Sequence, residues 1–105
     1  MTMKPIPDKA EVALDFPDKA YMGTFERDSA FEARADESGI TLKLERRSSP
    51  KRVVEVHLHH DLFAAILEDL AQSLSEKPPV DQFHRELLVD ASRKLNAALV
   101  GRKKG

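Results

Sequence analysis

Residues 31–74 read FEARADESGITLKLERRSSPKRVVEVHLHHDLFAAILEDLAQSL, and their hydrophobic period changes once. Phe31, Ala33 and Ala35 alternate with Glu32 and Arg34. Ile40, Leu42 and Leu44 alternate with Thr41, Lys43 and Glu45, and Val54, Val56 and Leu58 alternate with Glu55, His57 and His59. A period of two marks strands with one apolar and one polar face. From Phe63 onward the apolar residues Ile66, Leu67, Leu70 and Leu74 fall instead on one face of a helix. Strands feeding an amphipathic helix predict a two-layer α+β domain. The expected architecture is an antiparallel meander of three strands followed by two helices packed on one face. Val12–Phe16 or Tyr21–Phe25 would supply a fourth strand.

The turns and charges fix a register. Asp36-Glu37-Ser38-Gly39 reads as a four-residue turn, with Gly39 supplying a positive φ. Pairing Ala35 with Ile40 puts Ala33 opposite Leu42 and Phe31 opposite Leu44. The second hairpin turns through Ser48-Ser49-Pro50. Pairing Leu44 with Val54 puts Leu42 opposite Val56 and Ile40 opposite Leu58. The polar face then carries one row of Glu32, Lys43 and Glu55 and another of Arg34, Thr41 and His57. Opposed unlike charges stabilise a sheet by about 0.2–1 kcal/mol per pair. A slip of two residues would set Glu45 against Glu55. The core pattern and the outer charges therefore agree on one register.

The expected apolar side of the sheet needs a helical cover. Asp61 suits the first turn or N-cap of a helix running from Leu62 to about Ser75. Lys77-Pro78-Pro79 ends it, because a residue preceding proline disfavours the helical region. A second helix follows Asp81, with Phe83, Leu87, Leu88, Ala91, Leu95, Ala98 and Leu99 as its apolar positions. Gly101 is its expected stop, and Arg102-Lys103-Lys104 suits the negative end of the helix dipole. So short a connection predicts antiparallel neighbours, or a second helix that reaches another subunit. Residues 1–20, with Pro5, Pro7 and Pro17, read as an extended or disordered arm. The expected single domain is then 21–101, with a basic tail at 102–105.

The bulk properties narrow the class. The chain has 105 residues, 41% apolar and 33% charged, which suits one globular domain. It has no cysteine, which excludes disulfides and thiolate metal sites and fits a cytoplasmic setting. No apolar run reaches the ~18 residues of a membrane span, and the N-terminus lacks a signal-peptide pattern. The net charge of −1 is segregated: residues 43–60 carry +3 and 91–105 carry +5, while 1–42 carry −4 and 61–90 carry −5. Such blocks either orient a partner or neutralise one another.

The motifs of catalysis are missing. Glycines stand only at 23, 39, 101 and 105, so no phosphate loop or dinucleotide fingerprint forms. No nucleophile elbow or paired metalloprotease histidines occur. The reading is therefore non-enzymatic, with no cofactor. His57 and His59 share a strand face, with His60 and Asp61 following. Two histidines so spaced bind zinc only if further ligands arrive, from Glu32, Glu55 or His84. The expectation is a solvated pair and no metal site.

Two surfaces remain. Arg46, Arg47, Lys51 and Arg52 surround the Ser48-Ser49-Pro50 tip, a basic ribbon able to follow a nucleic-acid backbone. No aromatic residue interleaves with them, so a base-stacking platform is absent. Leu88 and Leu99 lie off the main line of the second helix and widen its apolar stripe beyond what one small sheet covers. A strand meander followed by a helix resembles single-stranded-DNA-binding coactivator domains in outline, a likeness of fold alone. The expected function is a protein-interaction module that forms a homodimer through its helical layer. The alternative is a nucleic-acid-binding module that uses the hairpin tip.

Overall fold

The computed structural model describes residues 3–101. It is α+β, with six antiparallel strands in two sheets followed by two helices. The strands are β1 (Lys4–Pro5), β2 (Ala10–Phe16), β3 (Lys19–Phe25), β4 (Ser29–Ala35), β5 (Gly39–Arg46) and β6 (Arg52–His59). The helices are α1 (His60–Glu76) and α2 (Gln82–Val100). One sheet runs β1-β4-β5-β6 and the other is the hairpin β2–β3. The chain divides into two compact units, the first ending at Ala64 and the second starting at Ala65.

The register is the one the sequence dictates. Phe31 pairs with Leu44, Ala33 with Leu42 and Ala35 with Ile40. Leu44 pairs with Val54, Leu42 with Val56 and Ile40 with Leu58. Glu32, Lys43 and Glu55 share one row, and Arg34, Thr41 and His57 the next.

Strands extend into the N-terminal stretch: β1 and β2 lie within residues 1–20, β2 contains the strand candidate Val12–Phe16, and β3 runs across residue 20. Backbone pairing holds these strands. Lys4 and Pro5 pair with Phe31 and Ala30, and Ile6 N–H extends the contact to Ser29 O at 3.2 Å. Ala10 through Phe16 pairs residue for residue with Phe25 through Lys19 around Pro17-Asp18. Ile6, Phe25 and Ala30 are the buried apolar residues of the described chain, and all lie in the first unit.

Gly39 has another reason than the expected positive φ, which among the described glycines occurs only at Gly101. A Cβ at Gly39 would stand 2.1 Å from Leu58 O and 2.9 Å from His59 Cα. The close approach of β5 to β6 therefore demands glycine. The turn itself is held by Asp36, whose N–H donates to Gly39 O at 2.9 Å. Asp36 Oδ1 accepts from Ser38 N at 2.9 Å, Ser38 Oγ at 2.9 Å and Gly39 N at 3.1 Å.

Burial across the main sheet also departs from the expected pattern. Shielded side chains stand on both faces: Ser29, on the Phe31 side of β4, is buried, as are Thr41 and Ala30 on the polar side, with Glu32 and Glu45 nearly so. Long cations lie against short or acidic neighbours there, Arg34 beside Glu32 at 3.6 Å and Lys51 beside Glu45 at 3.3 Å. On the apolar face Leu42 and Val56 each remain 42% exposed.

Both helix caps follow local chemistry. Asp81 is the N-cap of α2, with extended φ and ψ, and its carboxylate accepts from His84 N at 3.0 Å. Gly101 closes the helix with φ 89°, its N–H donating to Ala97 O at 3.1 Å. Asp61 lies in the first turn of α1. The antiparallel neighbours expected from the short connection are not formed, since α1 and α2 do not pack along their lengths. Lys77, Pro78, Pro79 and Val80 instead part them, and Arg85 Nε holds the corner by donating to Pro79 O at 2.9 Å. The expected basic tail lies outside the described residues.

Candidate interaction surfaces

The hairpin tip brings its four cations together and then supplies most of them with partners. Arg46 and Arg52 face each other at the mouth of the turn. Arg46 Nε lies 3.6 Å from Asp28 Oδ2 and donates to Ser48 Oγ at 3.3 Å. Ser48 Oγ in turn donates to Asp28 Oδ2. Lys51 pairs with Glu45 at 3.3 Å. Arg52 donates to the Tyr21 hydroxyl and lies 4.9 Å from the centre of the same ring. Arg47 uses its backbone N–H on Asp28 O at 3.4 Å. Its guanidinium has no partner among the described residues.

Asp28 and Tyr21 are the tip residues that sequence reasoning missed. Asp28 is 20 residues from Ser48, and Tyr21 is 31 from Arg52, so no local spacing announces either contact. The Ser48 hydroxyl above all, with help from Ser29 and the Arg46 guanidinium, holds the Asp28 carboxyl below its ordinary pKa. An open groove of about 980 Å³ lies beside this network. Arg27, Arg46 and Arg52 share its walls with Glu11, Glu26 and Asp28. That balance of sign gives the groove no preference for an anion.

The histidines gather on the Asp36 turn. The His57 and His59 rings are 5.1 Å apart. His57 Nε2 is 3.2 Å from Ser38 Oγ and 3.9 Å from Asp36 Oδ1, and His60 Nε2 is 3.1 Å from Glu37 O. Among the described residues no three His, Asp or Glu side chains converge on a point that would hold a metal ion. Glu32 turns to Arg34, and His84 lies on Asp81, its Nδ1 2.8 Å from Oδ2. The ring and backbone of His84 lower the Asp81 pKa. The Ser38 N–H and hydroxyl, then the Gly39 N–H and His57, lower that of Asp36.

The helices leave many apolar side chains open. Neither contains a buried residue. In α1 Phe63, Ile66 and Leu67 are half-buried, while Leu62, Leu70 and Leu74 are exposed. Every residue of α2 is exposed. Phe83, Leu87, Ala91, Leu95, Ala98, Leu88 and Leu99 form one stripe about 160° wide, with Ala91 at its centre. The expected self-association residues Leu88 and Leu99 border that stripe and are exposed. Leu88 also helps to line an apolar notch of about 330 Å³ with Leu74, Pro78, Pro79 and Val89.

No helix among the described residues is long and apolar enough to cross a membrane. No protein-family model, curated protein or solved structure matches the chain.

Proposed function

We propose that this chain is a non-enzymatic interaction module that associates with a second copy of itself through its helical layer. The observation that carries the reading is α2, whose nineteen residues are all exposed while seven apolar side chains line one side of it. In proteins most helical stability comes from tertiary packing of an apolar face rather than from propensity.

A second copy fits that stripe in the antiparallel sense. Phe83 then meets Leu99, Leu87 meets Leu95, and Ala91 meets its own counterpart at the two-fold axis. The small side chain at the centre lets the helix axes approach closely. Charges favour the same sense. Asp90, on one flank of the stripe, comes beside Lys94 on the same flank of the other copy.

Light scattering after size exclusion tests the reading. The chain has a multimeric mass at high micromolar concentration. Leu88→Asp and Leu99→Asp each lower that mass and keep the strand signal in circular dichroism. A monomeric mass for the unmodified chain overturns the proposal.

A further inference from the structure

The two edges of the four-stranded sheet are built differently. At one edge β1 is two residues long and ends in Pro5, which has no N–H to offer. Short, proline-bearing edges resist further pairing. At the other edge β6 is eight residues long, RVVEVHLH, without proline, glycine or lysine. Its inner side pairs with β5 from Arg46 opposite Arg52 to Gly39 opposite His59. Among the described residues its outer side has no strand beside it. Alternate backbone N–H and C=O groups on that side therefore lie unpaired.

We infer that β6 pairs antiparallel with β6 of a second copy, about a two-fold axis at Val56, to give one continuous sheet of eight strands. The register follows from the side chains. With Val56 opposite its counterpart, Val54 meets Leu58 on the apolar face. On the polar face Glu55 meets His57, and Val53 meets His59. A slip of one residue puts the apolar face of one copy against the polar face of the other. A slip of two toward the N-terminus opposes Glu55 to Glu55. Glu55 has no ion-pair partner among the described residues and is exposed, so this pairing costs no existing contact.

The second copy is favoured over a foreign strand by this self-complementarity, and by the exposure of Val56 at the axis itself. The hairpin strands lack it. Full overlap of β2 on itself opposes Glu11 to Asp15, and β3 is weakened by Gly23. The β6 contact uses a different surface from α2. A chain that makes both contacts closes as a dimer if the two axes coincide, and as a tetramer where they cross at a right angle.

The absence of cysteine makes the test direct. Val56→Cys introduces one thiol at the axis, where opposed Cα atoms lie about 4.5–5.5 Å apart, within the span of a disulfide. Val54→Cys introduces one thiol whose counterpart lies four residues along the strand, about 13 Å away. Under mild oxidation Val56→Cys forms a covalent dimer at least tenfold faster than Val54→Cys. The double variant Val54→Cys with Leu58→Cys restores cross-linking. Equal rates for Val56→Cys and Val54→Cys, or no dimer from either Val56→Cys or the double variant, overturn the inference. The helical reading is judged separately, by the mass of Leu88→Asp, so either contact can fail alone.

Discussion

Leu42 and Val56 stand directly opposite each other across β5 and β6, and each keeps 42% of its surface open to solvent. In a two-layer domain such a pair belongs to the middle of the core. Here the buried apolar residues of the described chain are Ile6, Phe25 and Ala30, too few to account for a stable fold by themselves. Burial completed by a second copy makes stability depend on concentration. The Tm should therefore rise over a hundredfold increase in protein concentration. A Tm that stays flat from low to high micromolar protein contradicts self-association as the source of the missing core.

Gly39→Ala tests the approach of the first hairpin to β6. The added Cβ would meet backbone, Leu58 O at 2.1 Å, which no side-chain rotation relieves. Overpacking of this kind costs about 1–3 kcal/mol. The opposing gain from stiffening the unfolded chain is smaller, about 0.4–1 kcal/mol. Net destabilisation is expected, read as a lower urea midpoint. An unchanged or higher midpoint would show that β5 can move away from Leu58 without loss.

The pairings that show in the sequence are those with two independent local signals. The β4–β5–β6 register is legible because apolar alternation and the signs of Glu32, Lys43 and Glu55 select the same alignment. Asp81 and Gly101 are legible because a cap acts within one helical turn. The strand Lys4–Pro5 is not legible, because two residues carry no period and its partners Phe31 and Ala30 lie far along the chain. The same distance hides Asp28 from Ser48 and Tyr21 from Arg52 at the basic tip. Alternation tells which residues share a face, but not which face is shielded. Thr41 is buried in a polar row while Leu42 and Val56 are open in an apolar one.

Asp28, Asp36 and Asp81 set the expected acid response. Each has a folded pKa below the ordinary carboxylate value of 3.8, from hydrogen bonds led by Ser48, Ser38 and His84 respectively. A carboxylate depressed by folding stabilises the fold above its unfolded pKa. That contribution is lost as pH falls through the folded value. Stability should therefore hold from neutral pH down to about 4 and fall below it. Asp36→Asn should flatten the fall and lower the Tm at pH 7, because the amide carries no charge for His57 and accepts the turn N–H groups more weakly. Carboxyl titration by NMR checks the directions: a folded Asp36 pKa above 3.8 would contradict the turn geometry.

The basic tip separates a protein-interaction module from a nucleic-acid-binding one. Arg46, Lys51 and Arg52 already have Asp28, Glu45 and Tyr21, so releasing them to phosphates would break existing contacts. Arg47 alone among the four has a free guanidinium among the described residues. A duplex-binding surface loses affinity with salt at a log–log slope of about −0.9 per phosphate contacted. Four engaged cations would give a steep dependence, and Arg47→Ala with Arg52→Ala would flatten it by about two units. A tip serving the fold behaves otherwise. Arg47→Ala leaves stability within about 0.5 kcal/mol, as surface substitutions do. Arg52→Ala costs about 0.5–1 kcal/mol through loss of the Tyr21 stack. Filter binding to duplex and single-stranded DNA between low and physiological salt should find no binding at low micromolar protein. Salt-steep binding that the double substitution abolishes would make the tip, and not the helical layer, the working surface of this chain.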